Sequence, residues 1–318
     1  MTPATTGQAQ STQATTSDPR DHKLLRGKPV AAGIKQEVAA EAARLTESGW
    51  TPKLVSIAVG DAEPVALYIR NQKRNAEEVG IDFEERFYPE DTSRQEMLAV
   101  IATLNADPRV SGVIIQRPVP DHLSIKELQL AVHPLKDVEG MHPASIGKIV
   151  YNDLDMGPCT AVAAVELLHC TGLTLQGLEV VVVGHSEIVG KPIAFLLMSE
   201  GATVTVCHHM TRNLAVHCRQ ADAVFVGAGK PGLITGNMIK PGAAVIDIGI
   251  NQIELEDGST KVVGDADFES AREVAGWITP VPGGVGPVTV AILMRNTLTA
   301  LKLQKAHYEQ EYGLPPAE

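Results

Sequence analysis

The chain has 318 residues, of which 44% are hydrophobic, and it carries a formal net charge of -11. That length is sufficient for two domains of ordinary size, each with its own core. The acidic balance excludes a broad basic surface for nucleic acid or for an anionic membrane, so a site for a phosphate-bearing ligand must be a local basic patch. No apolar run in the sequence is long enough to cross a membrane.

The N-terminal 21 residues are rich in Thr, Gln, Ala and Ser, which predicts a disordered tail. They contain neither the apolar core of a signal peptide nor an Arg-rich amphipathic pattern for organelle import. The cysteines form no C-x-x-C pair, a usage typical of reduced thiols in a cytoplasm. We therefore expect a cytoplasmic protein whose four thiols are Cys159, Cys170, Cys207 and Cys218.

Helices and strands alternate through the first half of the chain. The apolar spacing predicts a helix over 29–48, a strand over 53–59, a helix over 64–79, a strand over 83–88, a helix over 93–104, a strand over 110–116 and a helix over 125–132. This order predicts a parallel sheet with right-handed crossovers. A break rich in His, Pro, Gly, Asn and Asp is expected over 133–158.

A second α/β series follows, beginning with a helix over 161–170 that Thr160 is predicted to cap. Strands are predicted over 179–183, 203–207, 223–226, 243–248 and 277–279. The last helix, from 290 to about 308, is expected to return to the first domain, which has few covering helices of its own. The predicted fold class is therefore α/β with two domains: 22–158 together with the C-terminal segment 290–318, and a Rossmann-type domain over 159–289.

The segment 180–192 has the order of a nucleotide-binding turn: an apolar strand, a glycine turn and the start of a helix. Gly184 permits the tight turn, and Gly190 lets the helix pack closely and point free N–H groups at a phosphate. The pattern is G-x-S-x-x-x-G rather than G-x-G-x-x-G, so a strand-to-helix turn without a ligand stays open as the alternative.

The end of the following strand bears on the choice of cofactor. NAD-specific folds place an acid about 20 residues after the glycine turn, where it binds the ribose diol. Here the residues are Cys207, His208, His209 and then Arg212, with no carboxylate. Groups that donate hydrogen bonds or carry positive charge favour a 2′-phosphate, so we predict NADP, with NAD possible. A zinc site is the competing interpretation, with the ligands Cys207, His208, His209, His217 and Cys218. The spacings of these residues match no familiar zinc pattern, so we predict no metal.

Prolines and glycines are concentrated over 278–289, between an apolar strand and a helix. Proline fixes φ, and glycine allows main chain to approach a ligand closely. Junctions of this kind are where α/β sheets bind ligands, so the run predicts a rigid bend against which a flat molecule can lie. A surface turn is the alternative.

Taken together, these segments resemble the methylenetetrahydrofolate dehydrogenase/methenyltetrahydrofolate cyclohydrolase family from about Leu25 to Leu303. The matching segments are Val59-Gly60-Asp61, Glu77-Glu78-Val79-Gly80-Ile81, Lys136-Asp137-Val138 with Gly140 and His142-Pro143, Pro158-Cys159-Thr160, Ile188-Val189-Gly190 with Pro192, Gly229-Lys230-Pro231-Gly232, Asp247-Ile248-Gly249-Ile250-Asn251, Val263-Gly264-Asp265 and the Pro/Gly run.

The resemblance implies a folate cleft between the two domains, with NAD(P) on the second. It implies oxidation of 5,10-methylenetetrahydrofolate by hydride transfer, hydrolysis of the methenyl product to 10-formyltetrahydrofolate, and a homodimer formed through the nucleotide domain. The implied catalytic residues are Tyr68, Gln72, Gln116 and Glu139. The implied substrate contacts are Tyr68, Gln116, Glu139, Pro282, Gly283 and Gly284. The implied cofactor contacts are Gly184, His185, Ser186, Ile188, Val189, Gly190, His208, His209, Arg212 and Ile250.

The chain departs from the family where a lysine follows the tyrosine by four residues, because that position is Gln72. An amide donates and accepts hydrogen bonds but does not exchange a proton near neutral pH. Lys73 is adjacent, yet one helical residue turns its direction by roughly 100°. Further departures are Val65 in place of a small polar residue, Arg117 in place of leucine, Glu139 in place of aspartate, and His185 where some NADP users have arginine.

We therefore expect the hydride step to survive and the hydrolytic step to be impaired or lost. Hydride transfer needs two oriented reactants, whereas water attack and ring opening need proton shuttling. Three alternatives remain open: a specialised paralogue that handles a folate-borne one-carbon unit in a dedicated pathway, a non-catalytic folate or nucleotide sensor, and an amino- or hydroxy-acid dehydrogenase on the same nucleotide fold.

Overall fold

The computed structural model describes residues 21–61 and 63–312. The predicted N-terminal tail therefore lies outside the described residues, except for Asp21 at the start of a short 3₁₀ turn. No helix in the part of the chain that the structure describes is long and apolar enough to span a membrane.

The first sheet has three parallel strands in the order β2-β1-β3. The strands are β1 (Lys53–Val59), β2 (Asp82–Tyr88) and β3 (Gly112–Ile115), and the helices of this half are α1 (Gly27–Glu47), α2 (Glu63–Glu78), α3 (Arg94–Ala106) and α4 (Ile125–Ala131). The central strand β1 is buried along almost its whole length, as continuous apolar runs in parallel sheets are. The predicted order of elements and their parallel pairing are confirmed.

The segment after α4 is more regular than predicted. A helix, α5 (Pro143–Val150), lies within the expected break. His142 precedes it and accepts a hydrogen bond from the Ala144 N–H through Nδ1 at 3.0 Å, while Pro143 occupies the first turn. The prediction that Thr160 caps the next helix is also wrong, since α6 (Cys159–His169) begins one residue earlier, after Pro158. The sequence signals for α5 are a histidine cap and a proline in the first turn, and the prediction of a break did not take them into account.

The second sheet has five parallel strands in the order β10-β7-β6-β4-β5. Its strands are β4 (Glu179–Val183), β5 (Thr203–Cys207), β6 (Ala223–Val226), β7 (Ala244–Asp247) and β10 (Trp277–Ile278), and its helices are α7 (Gly190–Ser199), α8 (Leu214–Gln220) and α9 (Phe268–Val274). All five strands were predicted. An antiparallel hairpin of β8 (Asn251–Glu254) and β9 (Thr260–Val263) was not.

The last helix, α10 (Val285–Tyr312), links the two halves. It packs against α1 and α2 beside the first sheet and against α6 beside the second. It begins five residues earlier than predicted, so the second half of the Pro/Gly run is helical and only the residues before Val285 form the bend. Proline at residue 287 is compatible with this, because the first helical turn needs no N–H donor there.

The Pro/Gly bend is attached to the start of α1. The Gly27 N–H donates to the Gly283 carbonyl at 2.8 Å, and the Leu25 N–H donates to the Ile278 carbonyl at 2.9 Å. A Cβ on Gly27 would lie 1.8 Å from the Gly284 carbonyl oxygen, a distance that no side chain tolerates. Glycine at position 27 is therefore what lets α1 hold the bend in place.

Replacing Gly27→Ala should displace the bend and lower stability by about 1–3 kcal/mol, the usual cost of forcing a methyl group into a packed contact. Gly33→Ala is the matched control, because it lies in the same helix with no atom within 4 Å of its Cβ position. That change should raise stability by about 0.5–1 kcal/mol through helix propensity. Urea denaturation measures both variants. Equal effects of the two substitutions would contradict the contact.

Candidate active site

The first group of site residues lies at the carboxyl end of the first sheet and centres on Gln116, the residue after β3. The buried Gln116 side chain donates from Nε2 to Ser56 Oγ at 3.0 Å and to Gln72 Oε1 at 2.7 Å. The structure thus brings the two candidate site residues Gln72 and Gln116 into contact and adds Ser56, which the sequence analysis missed. The available signal was a single hydroxyl residue within the apolar run of β1.

None of the three hydrogen-bonded side chains, Ser56, Gln72 and Gln116, ionises near neutral pH. Both hydrogens of the Gln116 amide are donated, and the acceptors are a hydroxyl and a second amide. The position at which the family resemblance expects a lysine is therefore occupied by a neutral side chain that accepts a hydrogen bond from Gln116. Proton transfer near neutral pH is not available from any of these three groups.

Lys73, the neighbour of Gln72, is paired with a carboxylate on the edge strand of the first sheet. Its Nζ donates to Glu85 on β2 at 2.7 Å, which holds the ammonium beside the edge strand, whereas the Gln116 group spans β1, β3 and α2. The hydrogen bond and the charge of Glu85 raise the pKa of Lys73. Tyr68, one turn before Gln72 on α2, has 58% of its surface exposed and is therefore accessible to a ligand.

The loop that carries Glu139 is held by buried polar side chains. Asp137 accepts hydrogen bonds from the His142 N–H at 2.7 Å and from the Ser145 hydroxyl at 3.0 Å. Asn296 of α10 donates from Nδ2 to the Val138 carbonyl at 2.9 Å and to the Gly157 carbonyl at 3.0 Å. These contacts fix the main chain on one side of Glu139, so its position is set by α10 as well as by its own loop.

The Glu139 carboxyl group is an unusual acid. Its removal from water raises its pKa from 4.5 to about 7. The nearby Arg117 guanidinium and the Ile115 N–H act in the opposite direction, and the Asp137 carboxylate adds to the rise. Arg117 itself is exposed and donates from Nη2 to the Met141 sulfur at 2.8 Å. The carboxyl group of Glu139 therefore changes charge within the physiological pH range, beside a permanent cation.

The bend after β10 presents mostly main chain. The predicted contacts Pro282, Gly283 and Gly284 follow one another there, and Gly283 has a φ of 110° that a side chain would disfavour. The strand end before them is fixed by Thr279, whose hydroxyl oxygen accepts from the Asp247 N–H at 2.7 Å. The bend is thus anchored to β7 through Thr279 and to α1 through Gly27.

The predicted nucleotide turn joins β4 to α7. A Cβ on Gly184 would lie 2.3 Å from the Gly227 carbonyl oxygen, and a Cβ on Gly190 would lie 2.0 Å from the Gly184 carbonyl oxygen, so both glycines are required by close main-chain contacts. Ser186 Oγ accepts from the Val189 N–H at 3.2 Å and from the Gly190 N–H at 3.4 Å. The sequence had suggested that the Gly190 N–H is free to face a phosphate. In the structure it is instead hydrogen-bonded to Ser186. Ile188 is half-buried in the same turn.

A buried carboxylate that the sequence analysis did not single out shapes the neighbouring loop. Asp265 accepts hydrogen bonds from the N–H groups of Ala228, Gly229 and Lys230 at 2.5, 2.8 and 2.9 Å. This loop follows β6, the strand next to β4, so Asp265 sets the wall of the nucleotide turn. Asn251 also donates to Asp265 at 2.8 Å. In the sequence it appeared only as the last residue of the matching segment Val263-Gly264-Asp265, without a role of its own.

Asp247 supports Asp265 in turn. Its carboxylate accepts from the N–H groups of Gly249, Asp265 and Ala266 at 2.9, 3.0 and 2.8 Å. Burial raises its pKa to about 6, while these backbone hydrogen bonds act to lower it. The sequence left two roles open for Asp247, a structural one at the strand end and one near the nicotinamide. The structural role accounts for all of these contacts. Ile250 follows with 65% of its surface exposed.

Three histidines meet at the carboxyl ends of β4 and β5. The ring centroid of His185 lies 4.8 Å from that of His208 and 6.3 Å from that of His209, and the last two are 5.8 Å apart. All three are exposed, and one ring nitrogen from each lies within 4.8 Å of the others. Arg212, also exposed, follows in the same loop.

The five residues considered from the sequence as zinc ligands do not form one cluster. Cys207 and Cys218 are buried in the core beneath the sheet, whereas His208 and His209 point to the surface beside His185. Within the described ranges, the group of His, Cys, Asp and Glu side chains close enough to share an ion is this histidine group alone. Thus the loop after β5 contributes imidazoles, and not thiols, to the mouth of the turn.

These features define a two-domain α/β protein with a nucleotide-binding sheet and a second sheet that carries a polar site. Residues 25–139 match the family model for the catalytic domain of tetrahydrofolate dehydrogenase/cyclohydrolase, and residues 158–305 match the model for its NAD(P)-binding domain. The chain belongs to the tetrahydrofolate dehydrogenase/cyclohydrolase family.

Similar proteins cover nearly the whole chain. Bifunctional protein FolD 2 of Mesorhizobium japonicum is 64% identical over 295 residues, covering 93% of this chain and 96% of that protein. The crystal structure of the bifunctional enzyme FolD from Campylobacter jejuni has a TM-score of 0.83 at 40% identity, covering 88% of this chain and 98% of that one. FolD from Trypanosoma brucei, complexed with NADP cofactor and inhibitor, has a TM-score of 0.82 at 36% identity, covering 88% and 97%.

The raised pKa of Glu139 predicts a measurable effect on stability. The unfolded chain loses this proton near 4.5 and the folded chain near 7, so the folded state binds more protons between these values and stability should fall as pH rises through that window. Glu139→Gln removes the titrating group and should flatten this part of the pH profile, with a gain in melting temperature above about pH 7.

Thermal denaturation across pH checks the Glu139 prediction. Glu96→Gln on α3 is the comparison variant, because the bonds of Glu96 to Ser93 lower its pKa, so that its stabilising contribution no longer changes once the pH is above its unfolded value of 4.5. A Glu139→Gln profile parallel to that of the original protein would show that this carboxyl group has an ordinary pKa.

Proposed function

We propose that this protein oxidises 5,10-methylenetetrahydrofolate to 5,10-methenyltetrahydrofolate by hydride transfer to NADP, and that its hydrolysis of the methenyl product is weak or absent. The observation that carries the proposal is the neutral hydrogen-bonded group of Ser56, Gln72 and Gln116, beside a folate-facing surface that retains Tyr68 and the acid at position 139. The domain matches and relatives named as bifunctional FolD proteins favour an enzyme over a sensor.

Each side of the site has a distinct role in the proposal. On the folate side, Tyr68, Gln116 and Glu139 contact the substrate, together with the bare main chain of the bend at residues 282–284. On the cofactor side, the nicotinamide nucleotide lies along the turn between β4 and α7, and Ile250 borders it. The cofactor contacts proposed are Gly184, His185, Ser186, Ile188, Val189, Gly190, His208, His209, Arg212 and Ile250.

The two chemical steps make different demands on these residues. Hydride transfer moves two electrons and a proton together from the bridging carbon to the nicotinamide, so the protein needs only to hold two reactants in line and exclude water. Hydrolysis requires a water to lose a proton as it attacks and a nitrogen to gain one as the ring opens. Gln72 and Gln116 can orient a water molecule, but neither exchanges a proton at neutral pH.

Steady-state turnover tests the proposal directly. Purified protein should form NADPH from methylenetetrahydrofolate, use NAD less well, and hydrolyse methenyltetrahydrofolate no faster than the spontaneous rate in the same buffer. Failure to form either reduced nucleotide while both ligands bind would identify a sensor. Hydrolysis well above the spontaneous rate would contradict the proposed separation of the two steps.

A lysine at position 72 should restore part of the hydrolytic step. In Gln72→Lys, the Gln116 amide can turn its oxygen toward the new ammonium, and Ser56 can adapt because a hydroxyl both donates and accepts. Hydrolysis should rise by about 10²-fold or more, the range of a positioned acid or base. Gln72→Met is the control, because it has similar length and no ionisable group. No gain in Gln72→Lys would mean that Arg117 and Glu139 also prevent the step.

We also propose a cytoplasmic homodimer, with 22–158 and 290–318 as the folate domain and 159–289 as the nucleotide domain. Strand β5 lies at the edge of the second sheet and exposes 40% of Val206, and α7 beside it exposes 56% of Met198. Apolar side chains on an unpaired edge favour pairing with a second copy. Light scattering should give the mass of a dimer for the original protein and a smaller mass for Val206→Lys. A monomer mass for the original protein, unchanged in Val206→Lys, would contradict the dimer.

A further inference from the structure

The turn between β4 and α7 contains a carboxylate in a place where the phosphates of a dinucleotide are expected to bind. Glu187 is exposed and lies between Ser186 and Ile188, two of the proposed cofactor contacts. The Val189 N–H donates to Ser186 Oγ at 3.2 Å, which keeps the turn folded around this position. Like charges repel, so an unpaired carboxylate here would oppose the binding of a phosphate.

The cation that neutralises Glu187 comes from the other domain. Lys126 of α4 has its Nζ 2.6 Å from Glu187 Oε2. The hydrogen bond to Lys126, together with the charges of Lys126 and Lys191, lowers the pKa of Glu187, so its carboxyl group is ionised at neutral pH. The side chains of Lys126 and Glu187 are both mostly exposed, so water and salt screen their attraction and the pair can open and re-form.

Helix α4 connects this ion pair to the folate side of the cleft. Leu128 is buried in the core of the first domain, which fixes the helix there. The Gln129 amide donates to the Met141 sulfur at 3.6 Å, and the same sulfur accepts from Arg117. Helix α4 therefore contacts the loop that carries Glu139 at one place and the cofactor turn at another.

The two domains are also joined by main chain at the start of α1. There the N–H groups of Leu25 and Gly27 donate to the carbonyls of Ile278 and Gly283 at 2.9 and 2.8 Å. Those bonds join backbone groups, whereas the ion pair joins two long and exposed side chains whose attraction is modest. A change in the distance between α4 and the cofactor turn would therefore break the ion pair at little cost.

We propose that Lys126 and Glu187 are positioning residues, whose ion pair holds the cofactor turn against the folate domain while the nucleotide is bound. This inference rests on the proposed function, because it concerns the same hydride transfer. Bound phosphates make an unpaired Glu187 carboxylate more costly, so the nucleotide favours the arrangement in which Lys126 neutralises it. That arrangement brings the two bound reactants together, and hydride transfer depends on their proximity and orientation.

Neutral substitutions at the two positions should change nucleotide affinity differently and slow hydride transfer alike. Lys126→Gln leaves Glu187 unpaired, so NADP should bind about two- to fivefold more weakly, the range expected for an exposed pair. Glu187→Gln removes the carboxylate, so NADP should bind as tightly as before or more tightly. Single-turnover NADPH formation, with both NADP and methylenetetrahydrofolate saturating, should be about two- to fivefold slower in each variant.

Reversing the charges tests whether the two residues act through each other. Lys126→Glu and Glu187→Lys should each slow NADPH formation at saturating ligands, and the double variant should recover most of the rate because opposite charges meet again. The difference between Lys126→Gln and the original protein should shrink in about 1 M salt, where the Debye length is about 3 Å. Losses that simply add in the double variant would overturn the inference.

The neighbouring ion pair on α4 provides the matched control. Glu127 pairs with Arg94 of α3, so this pair is also exposed but lies within one domain. Glu127→Gln should leave both NADP affinity and NADPH formation unchanged. If Glu127→Gln slowed NADPH formation as much as Glu187→Gln does, the effect would come from the charge of α4 in general, and the positioning role would be wrong.

The outcomes separate this inference from the proposed function. No NADPH formation by the original protein, with both ligands bound, would refute the proposed function and this inference with it. NADPH formation at the same rate in the original protein and in every variant would refute the positioning role alone. An equal loss of NADP affinity in Lys126→Gln and Glu187→Gln would also refute it, because Glu187 would then not oppose a phosphate.

Discussion

Buried side chains that satisfy main-chain polar groups hold both sites in shape. A buried N–H or C=O must find a partner, and the irregular segments of this protein have no strand or helix to supply one. Asp265 provides acceptors for three successive N–H groups after β6, and Asn296 provides donors for two carbonyls beside Glu139. Asp247 in turn accepts from the Asp265 N–H. Each is nearly inaccessible to water, where loss of a partner costs most.

Helix α10 couples the two domains through the same kind of contact. It begins at the bend that follows the second sheet, packs along α1 and α2 beside the first, and sends Asn296 to the loop that carries Glu139. The bend itself touches the start of α1 through Gly27. A shift of α10 would therefore move the bend and the loop that carries Glu139 together.

The polar site combines a neutral hydrogen-bonded amide group with a carboxyl group whose pKa is raised. The Gln116 amide bridges Ser56 and Gln72 without any ionisable group, while the nearby Glu139 titrates near neutrality because of its burial. Orientation of substrate and cofactor is enough for hydride transfer, and the neutral group is compatible with it.

Sequence by itself determined the two α/β series, because apolar periodicity and glycine positions report directly on buried parallel strands and tight turns. It also determined the candidates Gln72, Gln116, Glu139 and the glycines of the nucleotide turn. Only the tertiary structure decided that His185 joins His208, that Lys73 pairs with Glu85, and that Asp265 supports a loop more than 30 residues away. These depend on strand order and side-chain direction, which local patterns do not encode, because residues distant in sequence become neighbours only when the sheet assembles.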